Sequence, residues 1–175
     1  MALLMMLDQI SQKIDNKKYS MGLFLYLSTA FDSNDHHILL QKLANYGIRG
    51  NALKWLSSYL SERTQCVSLG DIRSDFSTIR CGVPRGSVLD SLLFIIYIND
   101  IVNTSSVLNY VLFADDTNLF ASHKNLGTLI NILNKELDKV SNWLKVNKLS
   151  LNIKKTDFIL FHNKQKLINT KINIG

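Results

Sequence analysis

Apolar side chains recur at helical spacing at the start of the chain, at Leu3, Met6, Leu7, Ile10 and Ile14. This predicts a helix over residues 2–15, with its methionines as core fillers. Tyr19 to Leu27 (YSMGLFLYL) is aromatic and aliphatic and predicts a buried strand. Ile38, Leu39, Leu43 and Tyr46 resume a helical stripe, which Gly47 ends as a glycine just past a helix does. A second helix is predicted at about 51–61, with Leu53, Leu56 and Leu60 on one side. Two extended runs follow, Gln65 to Leu69 and Ser74 to Ile79, and Gly70-Asp71 between them signals a hairpin.

The segment CGVPRGS then interrupts regular structure at Gly82, Pro84 and Gly86. Ser87 is placed to cap a helix predicted over 88–101. That helix is apolar nearly all round, which predicts burial. Val107 to Phe113 and Thr117 to Ser122 read as two strands around Ala114-Asp115-Asp116. From Leu126 apolar residues fall at 126, 130, 133, 137, 140 and 144, the cleanest helical stripe in the chain. Asp157 to Phe161 reads as a last strand.

At 175 residues the chain is long enough for one domain and short for two. A net charge of +6 permits an anionic partner without naming one. The tail from Lys145 onward adds Lys148, Lys154, Lys155, Lys164, Lys166 and Lys171 against Asp157 alone. Cys66 and Cys81 cannot build a disulfide scaffold or a four-ligand zinc site by themselves and read as buried thiols. The longest apolar run, Leu92 to Ile98, is too short to span a bilayer. The first residues lack the basic flank and cleavage site of a signal peptide. An intracellular chain, nuclear or cytoplasmic and without a membrane partner, is the expectation.

Among candidate chemical groups, the pair Asp115-Asp116 at a hairpin tip stands out. Adjacent carboxylates repel one another, and a divalent cation would offset that repulsion. Taken alone, a plain turn accounts for them better, since Asp is a common turn residue. Asp35 is placed to cap the helix beginning near His36, and His36 and His37 read as exposed helix-start residues.

Context sharpens this reading. FLYLSTAFDSNDH, CGVPRGSVLDSLLFIIYIND, FADDTNLF and WLKVNKLSLNIKKTDFILF resemble, in that order, four blocks of reverse transcriptases. The match is nearest to the non-LTR (LINE-like) retrotransposon group and covers about residues 20–162. The resemblance implies that 1–175 is a partial, degenerate reverse transcriptase domain, with fingers and thumb largely absent. It implies the polymerase palm, of class α+β: a small antiparallel sheet with helices packed on one face. It further implies RNA-directed DNA synthesis on an RNA template and DNA primer from deoxynucleotides. In the family, one aspartate of the first block and those of the hairpin hold two magnesium ions. Asp115 matches the metal-binding aspartate of the hairpin, with Asp116 beside it.

The first-block aspartate is replaced. FLYLSTAFD stands where the family has FLDLSKAFD, so Tyr26 occupies the metal-ligand position. A phenol is uncharged near neutral pH and is a poor magnesium ligand. Phe31 matches the bulky residue that rejects a 2′-hydroxyl beneath the sugar. Arg85, in place of the family's glutamine, and Gly86 match the loop beside the template and incoming nucleotide. Asp90-Ser91 stands where the family has Gly-Pro. Lys155 matches a lysine near the triphosphate. Impaired catalysis is the expectation; the alternatives are a non-catalytic nucleic-acid-binding module or a structural remnant.

Overall fold

The computed structural model describes residues 2–28, 30–83, 86–113 and 116–163. In chain order its elements are α1 (Ala2–Asp15), β1 (Tyr19–Ser28), α2 (His36–Asn45), α3 (Gly50–Leu60), β2 (Thr64–Gln65), β3 (Ser68–Leu69), β4 (Ile72–Arg73), β5 (Ser77–Thr78) and α4 (Val88–Ile98). A 3-10 helix (Asn99–Thr104), β6 (Asn109–Phe113), β7 (Asp116–His123), α5 (Leu126–Val146), β8 (Ser150–Leu151) and β9 (Asp157–Phe161) complete the series. They form two compact units, residues 1–28 with 99–175, and residues 29–98. Among the described residues, no helix is long and apolar enough to cross a membrane.

In the first unit β1 is the central strand of an antiparallel sheet. It pairs with β7 along its length, and β6 lies beyond β7. Its other edge is shared: β9 pairs with residues 20–24 and β8 with Leu27 and Ser28. The strand period of two puts Met21, Leu23, Leu25 and Leu27 on one face, and all four are buried. Leu25 there shares an apolar cleft with Leu137, Val140 and Leu144 of α5. The long leucine stripe thus finds the sheet face that its period requires.

The helices are divided between the two faces. Opposite α5, α1 sets Met6 and Ile10 against Phe120, with Phe24, Val111 and Phe161 around them. Gly22 lies beneath this cluster, and a β-carbon there would meet the Met6 methyl at 3.5 Å and the Phe161 ring at 3.4 Å, ordinary contact distances. The α+β class is as read, whereas the apolar spacing of α1 carried no information about which face it covers.

Asn125 caps α5 by accepting from the Thr128 N–H at 3.0 Å. Farther along that helix, the buried Glu136 carboxylate accepts from the Lys139 ammonium at 2.8 Å on both oxygens. That bond, and one from the Ser105 hydroxyl, hold its carboxyl below the usual range. A depressed folded-state value stabilises above the ordinary carboxylate range, and the benefit fades as pH falls through the folded value. Glu136→Gln is therefore expected to flatten the loss of urea-midpoint stability between about pH 5 and pH 3. An unchanged slope would show that the carboxyl does not contribute.

In the second unit α2 packs against α4 through Leu39, Leu43, Leu93, Phe94 and Tyr97, all essentially inaccessible. Asp35 caps α2, accepting from the His37 and Ile38 N–H groups at 3.0 and 3.1 Å. Lys42 is buried, donates to the Tyr97 carbonyl and lies 4.9 Å from the Tyr97 ring centre. This partnership is what makes a buried ammonium tolerable.

Three local readings need correction. α4 is buried on one side only, and Val88, Leu92 and Ile95 are exposed. The Ser87 hydroxyl does not cap it: Ser87 Oγ is buried without a hydrogen-bond partner among the described residues. The Asp90 carboxylate instead accepts from the Ser91 and Gly86 N–H groups, and the Ser91 bond is the main cause of its lowered pKa. The cysteines are not buried either. Cys66 is half-buried in an exposed arm and Cys81 is exposed beside Asp35. The arm itself splits into two short pairs, β2 with β5 and β3 with β4, the inner one turning at Gly70-Asp71.

Candidate active site

The β1–β7 register makes Tyr26 and Asp116 direct cross-strand partners. Opposed residues share a face, with Cα atoms about 4.5–5.5 Å apart. Asp116 also partners Phe113 across the β6–β7 hairpin. Asp115, the sequence candidate for the metal ligand, lies outside the described residues, as do Ala114, Pro84 and Arg85. Asp116 is exposed and Tyr26 half-buried. The expected meeting of position 26 with the acidic hairpin is therefore present on the Asp116 side.

On its other edge Tyr26 sits where strand pairing is interrupted, between the β9 and β8 segments. The turn linking those strands supplies the missing partners. Asn152 N–H donates to the Tyr26 carbonyl at 2.8 Å, and Tyr26 N–H donates to Thr156 Oγ1 at 3.3 Å. Thr156 Oγ1 in turn donates to the Asn152 carbonyl at 2.9 Å, closing the turn. This clamp brings Lys155 back over β1, with Nζ 4.5 Å from the centre of the Tyr26 ring. An ammonium at that distance from an aromatic face is attracted by the ring quadrupole. Asn152 and Thr156 were not foreseen as site residues. Their signal was an Asn and a Thr flanking a lysine pair, types that bond nearby backbone in turns.

The donor set can now be compared with magnesium. That ion takes oxygen ligands in near-octahedral order, carboxylates foremost. Position 26 offers a phenol whose ring already faces an ammonium. Among the described residues, no group of three or more His, Cys, Asp or Glu could hold a metal ion. With Asp115 outside the described residues, the donors described at this corner are the Asp116 carboxylate and the Tyr26 phenol.

The remaining candidates belong to the second unit. Phe31 is half-buried, its ring 4.9 Å from that of Phe94 and tilted by 42°. Val83 N–H donates to its carbonyl at 2.9 Å and Gly82 N–H to that of Asn34 at 2.8 Å. A ring nitrogen of His36 bonds the Gly82 carbonyl at 2.7 Å, so His36 is a loop anchor rather than a bare helix-start residue. Gly82 has φ +85°, and a β-carbon there would come within 2.9 Å of Asp32 backbone atoms. Gly86, at φ +77°, has open space around it.

Comparison with known proteins follows the same lines. The family model for reverse transcriptase (RNA-dependent DNA polymerase) matches residues 3–171. The RNA-directed DNA polymerase from mobile element jockey of Drosophila melanogaster is 29% identical over an alignment of 160 positions, and the match covers 87% of this chain and 17% of that protein. A probable RNA-directed DNA polymerase from transposon BS of the same organism is 29% identical over an alignment of 160 positions, and the match covers 84% of this chain and 17% of that protein. The chain thus spans about one-sixth of the length of these curated relatives. Among solved structures, telomerase from Candida tropicalis, in complex with a fragment of telomeric RNA, superposes with a TM-score of 0.68. That match covers 88% of this chain and 28% of the telomerase at 14% identity, a likeness of fold.

Proposed function

The chain belongs to the reverse transcriptase (RNA-dependent DNA polymerase) family, and from that membership we propose that it is a palm segment whose metal corner lacks one carboxylate and does not catalyse nucleotidyl transfer. The observation that carries this reading is Tyr26, paired with Asp116 and lying under the Lys155 ammonium. In the two-metal arrangement, the ions clamp the attacking and leaving oxygens, and the first-block carboxylate is one of their anchors. With a phenol there, Asp115 and Asp116 would have to hold both dications. Lys155, which by resemblance would attend the triphosphate, is engaged with the ring that replaced the carboxylate. RNA template, DNA primer and deoxynucleotides are the partners this reading assigns, with Phe31, Arg85 and Gly86 beside the nucleotide. An intracellular setting goes with them.

The test is primer extension in magnesium by the unmodified chain, with Asp115→Asn as control. No extension above background is expected from either protein. Clear extension by the unmodified chain that Asp115→Asn abolishes would show that the phenol is tolerated and overturn the reading.

A further inference from the structure

The arm between α3 and α4 is a ribbon with two unlike edges. One edge is the run Thr64 to Leu69 (TQCVSL), which carries β2 and β3 and holds no charge and no proline. Proteins ordinarily guard a free strand edge with such residues or with a bulge. The other edge has both charges and a bulge. It carries Asp71, Arg73 and Asp75. Between the pairs Gln65–Ser77 and Ser68–Arg73 it has three residues, 74–76, against two, 66 and 67. Ser74 fixes this bulge: its N–H donates to the Val67 carbonyl at 2.9 Å, and its hydroxyl oxygen accepts from the Val67 N–H at 3.0 Å.

Those bonds also orient the unguarded edge. The Arg63 carbonyl accepts from the Ile79 N–H at 2.8 Å, so residues 63 and 67 both turn their backbone inward, across the ribbon. Strand alternation then turns the N–H and C=O groups of Thr64, Cys66 and Ser68 outward. Among the described residues, β2 pairs with β5 alone and β3 with β4 alone, so these groups have no strand partner. The apolar side chains of the run stand in water, Val67 being 73% and Leu69 81% exposed.

We infer that this edge pairs antiparallel with the same edge of a second copy of the chain, about a two-fold axis at Cys66. The run is complementary to itself in that register. Outward backbone groups meet as hydrogen-bonded pairs, 64 with 68, 66 with 66 and 68 with 64. Thr64 then lies opposite Ser68 of the second copy, a favourable hydroxyl pair, and within the run no like charges are opposed. Six paired residues extend about 20 Å and cover on the order of 800 Å² over both copies, enough for a weak, reversible dimer. The contact is isologous and closes on itself. What remains outermost on each copy is the charged, bulged edge, which stops further strands from adding. The inference does not depend on whether the Tyr26 corner is active.

Sedimentation velocity of the whole chain in reductant, from about 5 to 500 μM, is expected to show a reversible shift from monomer to dimer. Ser68→Pro removes an outward N–H and no bond within the arm, and is expected to weaken association at least about tenfold. Ser68→Ala keeps that N–H and is expected to stay within about threefold of the unmodified chain. The register is read by oxidation with copper–phenanthroline, which accepts the two electrons released, with two protons, as two thiols join. In a Cys81→Ser background Cys66 is expected to link the dimer, because hydrogen-bonded partners lie about 5.5 Å apart at Cα, within disulfide reach. With Cys66→Ser added, Thr64→Cys and Ser68→Cys chains are expected to link when mixed and not alone. A monomer at every concentration would overturn the proposal and leave the edge to a strand of another protein. Growth beyond a dimer, undiminished association of Ser68→Pro, or equal linkage by every single-cysteine chain would each overturn it too.

Discussion

Grafted between the fingers and thumb of a related polymerase, the chain carrying Tyr26→Asp with Arg85→Gln is expected to extend a primer in magnesium at least about a hundredfold faster than the same graft retaining Tyr26. The magnitude follows from what a positioned charge is worth at a transition state, about 3 kcal/mol or more. The geometry makes the substitution plausible in this backbone. Position 26 is a direct register partner of Asp116, so a carboxylate placed there enters the same corner without moving a strand. The Asn152–Thr156 clamp holds the backbone of residue 26, not its side chain, and survives the change. Removing the ring also frees the Lys155 ammonium from its seat. The graft supplies a grip on the duplex, so a null result speaks to the corner itself. Equal extension with Tyr26 and with Asp at position 26 would show that the missing carboxylate is not the deficit.

The legible parts of this fold were those set by short-range periodicity and turn chemistry. The stripe from Leu126 to Leu144 became α5, and Asp35 capped α2, because each depends on residues within a few positions. That Tyr26 lies beside the acidic hairpin was also foreseeable, as what the resemblance to reverse transcriptases implies. What the sequence could not disclose were consequences of distant contact. Lys155 reaches the Tyr26 ring only because the turn between β8 and β9 folds back across the interrupted edge of β1. The face chosen by α1 depends on Met6 and Ile10 meeting Phe120 of β7, a distant contact that no helical period records. Burial of α4 was over-read for a related reason: apolarity all round states what a helix could bury, not how many neighbours it meets.

Gly82 is the sharpest instance, and its substitution should have the second large effect. The sequence marks Gly82 only as a break in regular structure and does not say what approaches it. At Gly82 the group that approaches is the chain itself, since an added β-carbon would lie 2.9 Å from both Cα and O of Asp32. Those are backbone atoms, held by the Gly82 N–H to Asn34 bond and the Val83 N–H to Phe31 bond, so they cannot swing aside. The φ of +85° adds the ordinary penalty of an L-residue in the left-handed region, roughly 1–2 kcal/mol. Overpacking against rigid neighbours adds about 1–3 kcal/mol more. Gly82→Ala is therefore expected to cost about 2–5 kcal/mol in urea unfolding, on the order of 10 °C in melting temperature for a chain of this size. Gly86→Ala shares the positive φ but meets nothing within 4 Å, so its cost should stop at roughly 1–2 kcal/mol. Gly22→Ala, with ordinary strand backbone and only the ends of flexible side chains nearby, should be near neutral. The ranking is the test: if Gly82→Ala proves no more costly than Gly86→Ala, the close approach to Asp32 relaxes, and the glycine at 82 is there for its φ alone.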